Sequence, residues 1–312
     1  MSEDLDRLID EHVAAVDRRA RGGPYDSEAQ EVRTAAKALS ELWRRLELRE
    51  PGESPAPRSG KPQLLLTGRS ARHGDIVLKV YGRQRPHEAA IQGWWHRRGV
   101  KTVAVVDHGD VPVSWLLMTR AKGAQPDAVD ATNLTAQLAA IMNHVHGLED
   151  PPPVPPPFRL AAGVEHHLAS VLRVAETHGY HLPNGWRTIA GDLYRCGPVS
   201  VLHGDLTVRN LLRSDNGTLL LLDTCGYTGP PEFDAARWCA RLGGSDNGEA
   251  LLNVWLSSEG TLNVPLARRF LGLELLMEAG VREIVKSEGG VDWSTRDSRT
   301  AKSIDLGWAL VS

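Results

Sequence analysis

The chain has 312 residues, 41% of them hydrophobic and 24% charged, an ordinary globular composition with length for one large core or two smaller ones. A formal charge of −3 leaves no basic footprint for gripping a phosphate backbone, so nucleic acid is not an expected partner. Three cysteines, Cys196, Cys225 and Cys239, are too few for a disulfide framework and lack zinc-site spacing, so they read as small buried residues in a reducing compartment. Met1 to Asp10 is acid-rich, and no stretch approaches the ~18 apolar residues of a membrane span, so a cytoplasmic protein without membrane contact is expected.

Leu5, Leu8, Ile9, Val13 and Val16, then Val32, Ala35, Leu39, Leu42 and Leu46, recur at helical spacing on either side of Gly22-Gly23-Pro24. They predict two helices, or a helix leading into a strand. A Pro/Gly/Ser stretch from Pro51 to Lys61 reads as a loop, with Ser54, Ser59 and Gly60 as candidate phosphate contacts. A strand over Gln63 to Thr67, a turn from Gly68 to Gly74 and a strand over Ile76 to Tyr81 follow.

Pro86 to Gly99 carries Ala89, Ala90, Trp94 and Trp95 at helical intervals, and Val103 to Val106 and Val113 to Met118 read as strands. Thr119 to Gly123 has the composition of a hinge, where Met118, Arg120 and backbone groups can read a nucleotide base edge. A helix with Leu134, Leu138, Ile141, Met142 and Val145 ends at Gly147. Pro151 to Pro157 is a stiff spacer with no assigned function. Helices are expected around Val164 to Thr177 and Trp186 to Arg195, short strands at Val199 to Leu202, Leu211 to Leu212 and Leu219 to Leu222, and helix from Asp234 onward.

The chemistry concentrates between Val199 and Gly226. An apolar strand leads into His203-Gly204-Asp205; Asn210 stands five residues after Asp205; a hairpin turns at Asn216-Gly217; and its second strand ends at Asp223. That spacing is a phosphoryl-transfer loop. Moving a phosphoryl group needs positioning and charge neutralisation more than covalent help. Asp205 is therefore the expected base for an incoming hydroxyl, and Asn210 and Asp223 the hard oxygen ligands of a magnesium ion whose other ligands are phosphates and waters. A second signal is Lys79, an ammonium within the apolar run Val77 to Tyr81, where it needs a partner. Glu88 can supply it and leave Lys79 to reach the nucleotide phosphates.

These residues resemble the aminoglycoside phosphotransferase family, whose members share the two-lobed protein-kinase-like fold. His203-Gly-Asp205-Leu with Asn210 is similar to its catalytic-loop motif, and Asp223-Thr-Cys-Gly226 with Gly229-Pro and Asp234-Ala-Ala to the metal segment of the subgroup acting on streptomycin and hydroxyurea. The resemblance implies an α+β fold: a small antiparallel sheet lobe with one helix over residues 1–120, including a helical extension at 1–45, and a larger, mostly helical lobe over 121–312. It further implies Asp205 as base, Asn210 and Asp223 as magnesium ligands, Lys79 on the phosphates, Glu88 positioning Lys79, and His203 and Asp234 as supports of the loop. Thr207-Val208-Arg209 departs from the family's usual His-Pro-Gly and adds a cation before the asparagine.

Other patterns are set aside. Gly60-Lys61 lacks the glycine and hydroxyl of a Walker A loop, and His87-Glu88 lacks the second histidine of a zincin. His144 and His146 point to different faces of a helix without an acidic or thiol neighbour, and with His166 and His167 read as solvated or core residues. Trp238 and Trp255 read as core. Glu274 and Glu278, four apart, suit a solvated helix face better than a site for a cationic acceptor, as do Asp246, Glu249 and Asp292.

The sequence thus predicts a small-molecule kinase using ATP or GTP and Mg2+, a monomer or homodimer, with an antibiotic hydroxyl as acceptor. A metabolic sugar, amino-sugar or choline-type kinase, and a nucleotide-binding pseudokinase, are the alternatives.

Overall fold

Side chains alternating between the two faces of one strand, buried on both from Leu78 onward, explain how the N-terminal region is built. In β3 (Gly74–Tyr81), Ile76, Leu78 and Val80 face one side, and Val77, Lys79 and Tyr81 the other. The computed structural model describes residues 3–20, 26–52, 63–83, 86–149, 185–197, 199–226, 228–288 and 298–312. Most of the Pro51 to Lys61 loop with its phosphate-contact candidates, the polyproline spacer, the helix expected at Val164 to Thr177, His166, His167 and Asp292 lie outside the described residues.

The chain divides into two units, residues 1–123 with 214–216, and residues 124–213 with 217–312. The first holds an antiparallel five-stranded sheet, order β1-β2-β3-β5-β4, formed by β1 (Arg49–Gly52), β2 (Gln63–Ser70), β3, β4 (Val105–Gly109) and β5 (Trp115–Thr119). Helices α1 (Glu3–Ala20) and α2 (Asp26–Arg45) present the predicted apolar stripe. Leu5, Leu8, Val32, Ala35, Leu39 and Leu42 share one core with Leu64, Leu66, Ile76, Leu78, Val80 and Leu117. The N-terminal helices therefore cover one sheet face, leaving the Lys79 face to helix α3 (Pro86–Arg97).

Two expectations need correction here. The turn expected from Gly68 to Gly74 shrinks to residues 71–73, because pairing runs to Ser70 opposite Gly74. Gly68 is a strand residue: a β-carbon there would lie 2.5 Å from the Trp43 ring, so the glycine makes room for that ring and does not mark a turn. The expected loop also begins too early, since Pro51 and Gly52 belong to β1, an edge strand where a proline costs no inner ladder bond.

In the second unit, Asp130 caps α4 (Ala131–His146) by accepting from Asn133 N–H at 3.0 Å. Helix α5 (Trp186–Leu193) leads to β6 (Ser200–Val201), then a hairpin of β7 (Leu211–Ser214) and β8 (Leu219–Leu221), then β9 (Thr228–Gly229), which pairs with β6. Helices α6 (Glu232–Ser258), α7 (Val264–Glu288) and α8 (Ser298–Val311) complete it. Trp238 and Trp255 are fully buried, and Trp238 Nε1 donates to Thr135 Oγ1 at 2.9 Å, joining α6 to α4. Of the cysteines only Cys239 is buried; Cys196 is exposed. Among the described residues no helix is long and apolar enough to cross a membrane.

Candidate active site

In the second unit the two motif segments are stitched together by backbone and side-chain bonds. His203 O accepts from Cys225 N–H at 2.7 Å and from Thr224 Oγ1 at 3.3 Å; Leu222 N–H donates to Asn210 O at 2.9 Å. Asp205 and Asp223 thus sit on loops that cannot shift independently. Asp223 has a φ of 61°, a left-handed conformation that aspartate tolerates better than most residues. Gly204 has φ 78°, which favours glycine between His203 and Asp205.

The supports fall where buried polar groups need partners. Asp234, fully buried at the start of α6, accepts from His203 N–H at 2.8 Å on Oδ2 and from Gly204 N–H at 2.9 Å on Oδ1. His203 is buried, with Nε2 2.8 Å from Leu222 O and Nδ1 3.4 Å from Asp205 N–H. Nε2 must carry the proton and Nδ1 accept. Burial lowers the His203 pKa despite the carboxylates nearby, so the ring is a neutral brace.

Asn210 closes a short 3-10 turn, Val208–Asn210, and its Nδ2 donates to Asp205 O at 2.7 Å and Asp205 Oδ2 at 3.0 Å. With the amide nitrogen committed, Oδ1 is the atom able to take a cation. Asn210 and Asp223 offer an amide oxygen and a carboxylate, a hard donor set that fits magnesium when phosphates and waters complete its shell. Arg209, the cation just before Asn210 that departs from the family's usual glycine, is exposed.

In the first unit, Lys79 and Glu88 are both buried and form an ion pair. Lys79 Nζ also lies 4.8 Å from the Tyr81 ring centroid. Gln92, one turn after Glu88, donates to Met118 Sδ at 3.3 Å, and Met118 is buried. The N–H groups of Thr119 and Arg120 already donate to Ala104 O and Asp75 O at 3.0 and 2.9 Å.

A family model described as "Phosphotransferase enzyme family" (APH) matches residues 63–271, well over half of the chain. The chain belongs to this phosphotransferase family. No curated protein matches it. Among solved structures, a choline/ethanolamine kinase family protein from Mesorhizobium loti is 16% identical, with TM-score 0.51 over 87% of this chain and 94% of that one. Choline kinase LicA from Streptococcus pneumoniae is 14% identical, with TM-score 0.54 over 88% and 98%. A thermostable mutant of aminoglycoside phosphotransferase APH(4)-Ia, in complex with ADP and hygromycin B, is 15% identical, with TM-score 0.54 over 87% and 97%. These likenesses establish the kinase-like α+β fold; membership of the family makes this protein a small-molecule phosphotransferase with a nucleotide phosphate donor.

The phosphotransferase also uses residues that sequence reading missed. His146 does have acidic partners: Nδ1 lies 2.8 Å from Glu259 Oε1 and Nε2 3.3 Å from Asp234 Oδ2. Both ring nitrogens face carboxylates, so both donate, and although burial works against the charge, the histidine is pushed up to about 9. Glu274 and Glu278 are not on a solvated face. Both are buried and pair with Arg237 and Arg241 of α6, two arginines at the same four-residue spacing. The available signal was on α6, where Asp234, Arg237 and Arg241 recur on one helix face amid buried alanine, tryptophan and cysteine.

The His146 bridge gives a pH dependence of stability. Its folded value exceeds the ordinary 6.5, so its contribution is complete below about pH 6.5 and lost as pH rises through about 9. The urea midpoint should fall across that window by the equivalent of on the order of 3 kcal/mol at most. His146→Gln should flatten the fall; an unchanged slope would remove His146 as its source.

Proposed function

We propose that the enzyme moves the γ-phosphoryl of ATP or GTP onto a hydroxyl of a small-molecule antibiotic in the cytoplasm, the added dianion spoiling the drug's fit to its target. The acceptor class is an aminoglycoside, a nucleoside antibiotic or a related natural product. In this reading the hydroxyl oxygen bonds to the γ-phosphorus, the bond from that phosphorus to the departing nucleoside diphosphate breaks, and the hydroxyl proton passes to Asp205. Asn210 and Asp223 would hold magnesium, and the chemistry it would supply there is charge neutralisation on the phosphates. Residues 1–120 bind the nucleotide, Lys79 holding the phosphates with Glu88 positioning it, and the base lying near Met118 and Arg120. Residues 121–312 carry the catalytic loop and the acceptor.

The observation that carries this reading is the Asn210 side chain, which ties its nitrogen to Asp205 at 2.7 and 3.0 Å and leaves its oxygen for a cation. One residue thereby sets the base and the metal in register. The antibiotic acceptor rests on the likeness of Asp223 to Asp234 to the streptomycin and hydroxyurea subgroup. A second reading, a metabolic kinase of a choline-like or sugar alcohol, is favoured by choline kinases sharing the fold.

An acceptor panel with γ-labelled ATP and GTP separates the two. Label should enter an antibiotic; label entering only choline, ethanolamine or a sugar gives the metabolic reading. EDTA should abolish transfer, and Asp223→Ala should raise the magnesium concentration for half-maximal rate at least about tenfold. An unchanged magnesium requirement would remove Asp223 from the metal.

A further inference from the structure

Asp205 has a partner outside its own motif. Arg237 Nη2 donates to Asp205 Oδ1 at 3.2 Å, and Arg237 Nη1 to Glu274 Oε2 at 3.2 Å. With Asn210 Nδ2 on Oδ2 at 3.0 Å, each oxygen of the Asp205 carboxylate is held by a different residue. The three groups differ in burial: the side chains of Asp205, Arg237 and Glu274 are 28%, 10% and 1% exposed.

That gradient says which group is the anchor. A guanidinium buried in the helical unit needs a counter-ion, and fully buried Glu274 supplies it. Burial acts against the Arg237 charge, but Glu274 and Asp205 outweigh it and raise its pKa above the ordinary arginine value. The Phe233 ring lies 5.5 Å from the guanidinium carbon, and the Arg241–Glu278 ion pair repeats the contact one turn further along α6. Arg237 is thus fixed from the helix side, and the half-exposed Asp205 docks against it. A planar fork can serve two carboxylates at once where a lysine's single ammonium serves them less well.

We propose that Arg237, fixed by Glu274, is a positioning residue that orients the Asp205 carboxylate toward the incoming hydroxyl. The inference rests on Asp205 being the base. Contacts from two different residues on the two oxygens restrict rotation of the carboxylate. Without the clamp the carboxylate samples other rotamers, and displacement of a catalytic group by about 1 Å can cost about 10²-fold in rate.

The test is steady-state kinetics on the full chain with an accepted alcohol. Arg237→Ala should lower kcat about 10²-fold, with nucleotide KM within about threefold of wild type. Arg237→Lys should recover part of that loss. Because Arg237→Ala strands the buried Glu274 carboxylate, the double variant Arg237→Met with Glu274→Met, which removes both charges, should fold and show the same kcat loss. In an Asp205→Ala background, Arg237→Ala should add less than about twofold, since the orienting effect has lost its target. Full kcat in the double variant, a raised nucleotide KM in place of the kcat loss, or an equal further loss in the Asp205→Ala background would overturn the proposal. If Asp205→Ala itself stays active, the base assignment fails; if it is inactive while the Arg237 variants are normal, only the present inference fails.

Discussion

Replacing Asp205 with alanine is expected to lower kcat about 10³-fold while nucleotide binding changes less than about threefold. Asp205 is half-buried and touches Arg237 and Asn210, so its loss leaves no carboxylate stranded. Arg237 keeps Glu274 as its counter-ion, and the local charge becomes more nearly balanced. The fold should therefore survive, and thermal unfolding should stay within a few degrees of wild type, about 1 kcal/mol for a chain of this size. Asp205→Asn keeps the shape without the base and should lose activity almost as far. Retention of more than about a tenth of wild-type turnover in either variant would remove Asp205 as the proton acceptor.

The second large effect combines stability with nucleotide affinity. Lys79→Met leaves the Glu88 carboxylate, 5% exposed, without its ion-pair partner. Removing one member of a buried pair costs about 3–5 kcal/mol, whereas replacing both by apolar groups is often neutral. Lys79→Met should thus lower the urea midpoint sharply, and Lys79→Met with Glu88→Leu should recover most of it. Nucleotide affinity should not recover, remaining at least about tenfold below wild type, or about 1.4 kcal/mol. If the double variant binds nucleotide as well as wild type does, the pair is a structural feature of the sheet and α3.

Those two effects concern residues that the sequence already singled out, and the reason is locality. Lys79 interrupts an apolar strand and Glu88 follows nine residues later, while Asp205, Asn210 and Asp223 are spaced by one short turn and one hairpin. The covering of the sheet by α1 and α2 was half legible: the helical stripe was plain, but the face it covers follows from the register Leu64↔Val80 and Leu66↔Leu78. The clamp on Asp205 and the His146 bridge were not legible, because Arg237 stands 32 residues from Asp205, and His146 stands 113 from Glu259. Glu274 and Glu278 show why such pairs escape notice. Two glutamates four apart look alike on a solvated face and in a buried interface until the neighbouring helix supplies its arginines.

The convergence of Asp205, Asn210 and Asp223 on a nucleotide's phosphates is tested by a crystal structure with magnesium and a non-hydrolysable triphosphate analogue. Asn210 Oδ1 and an Asp223 carboxylate oxygen should ligate the ion beside the phosphates, with Asp205 facing the γ-phosphate side. A magnesium ion bound without Asn210 and Asp223, or a nucleotide whose phosphates lie away from Asp205, would contradict it.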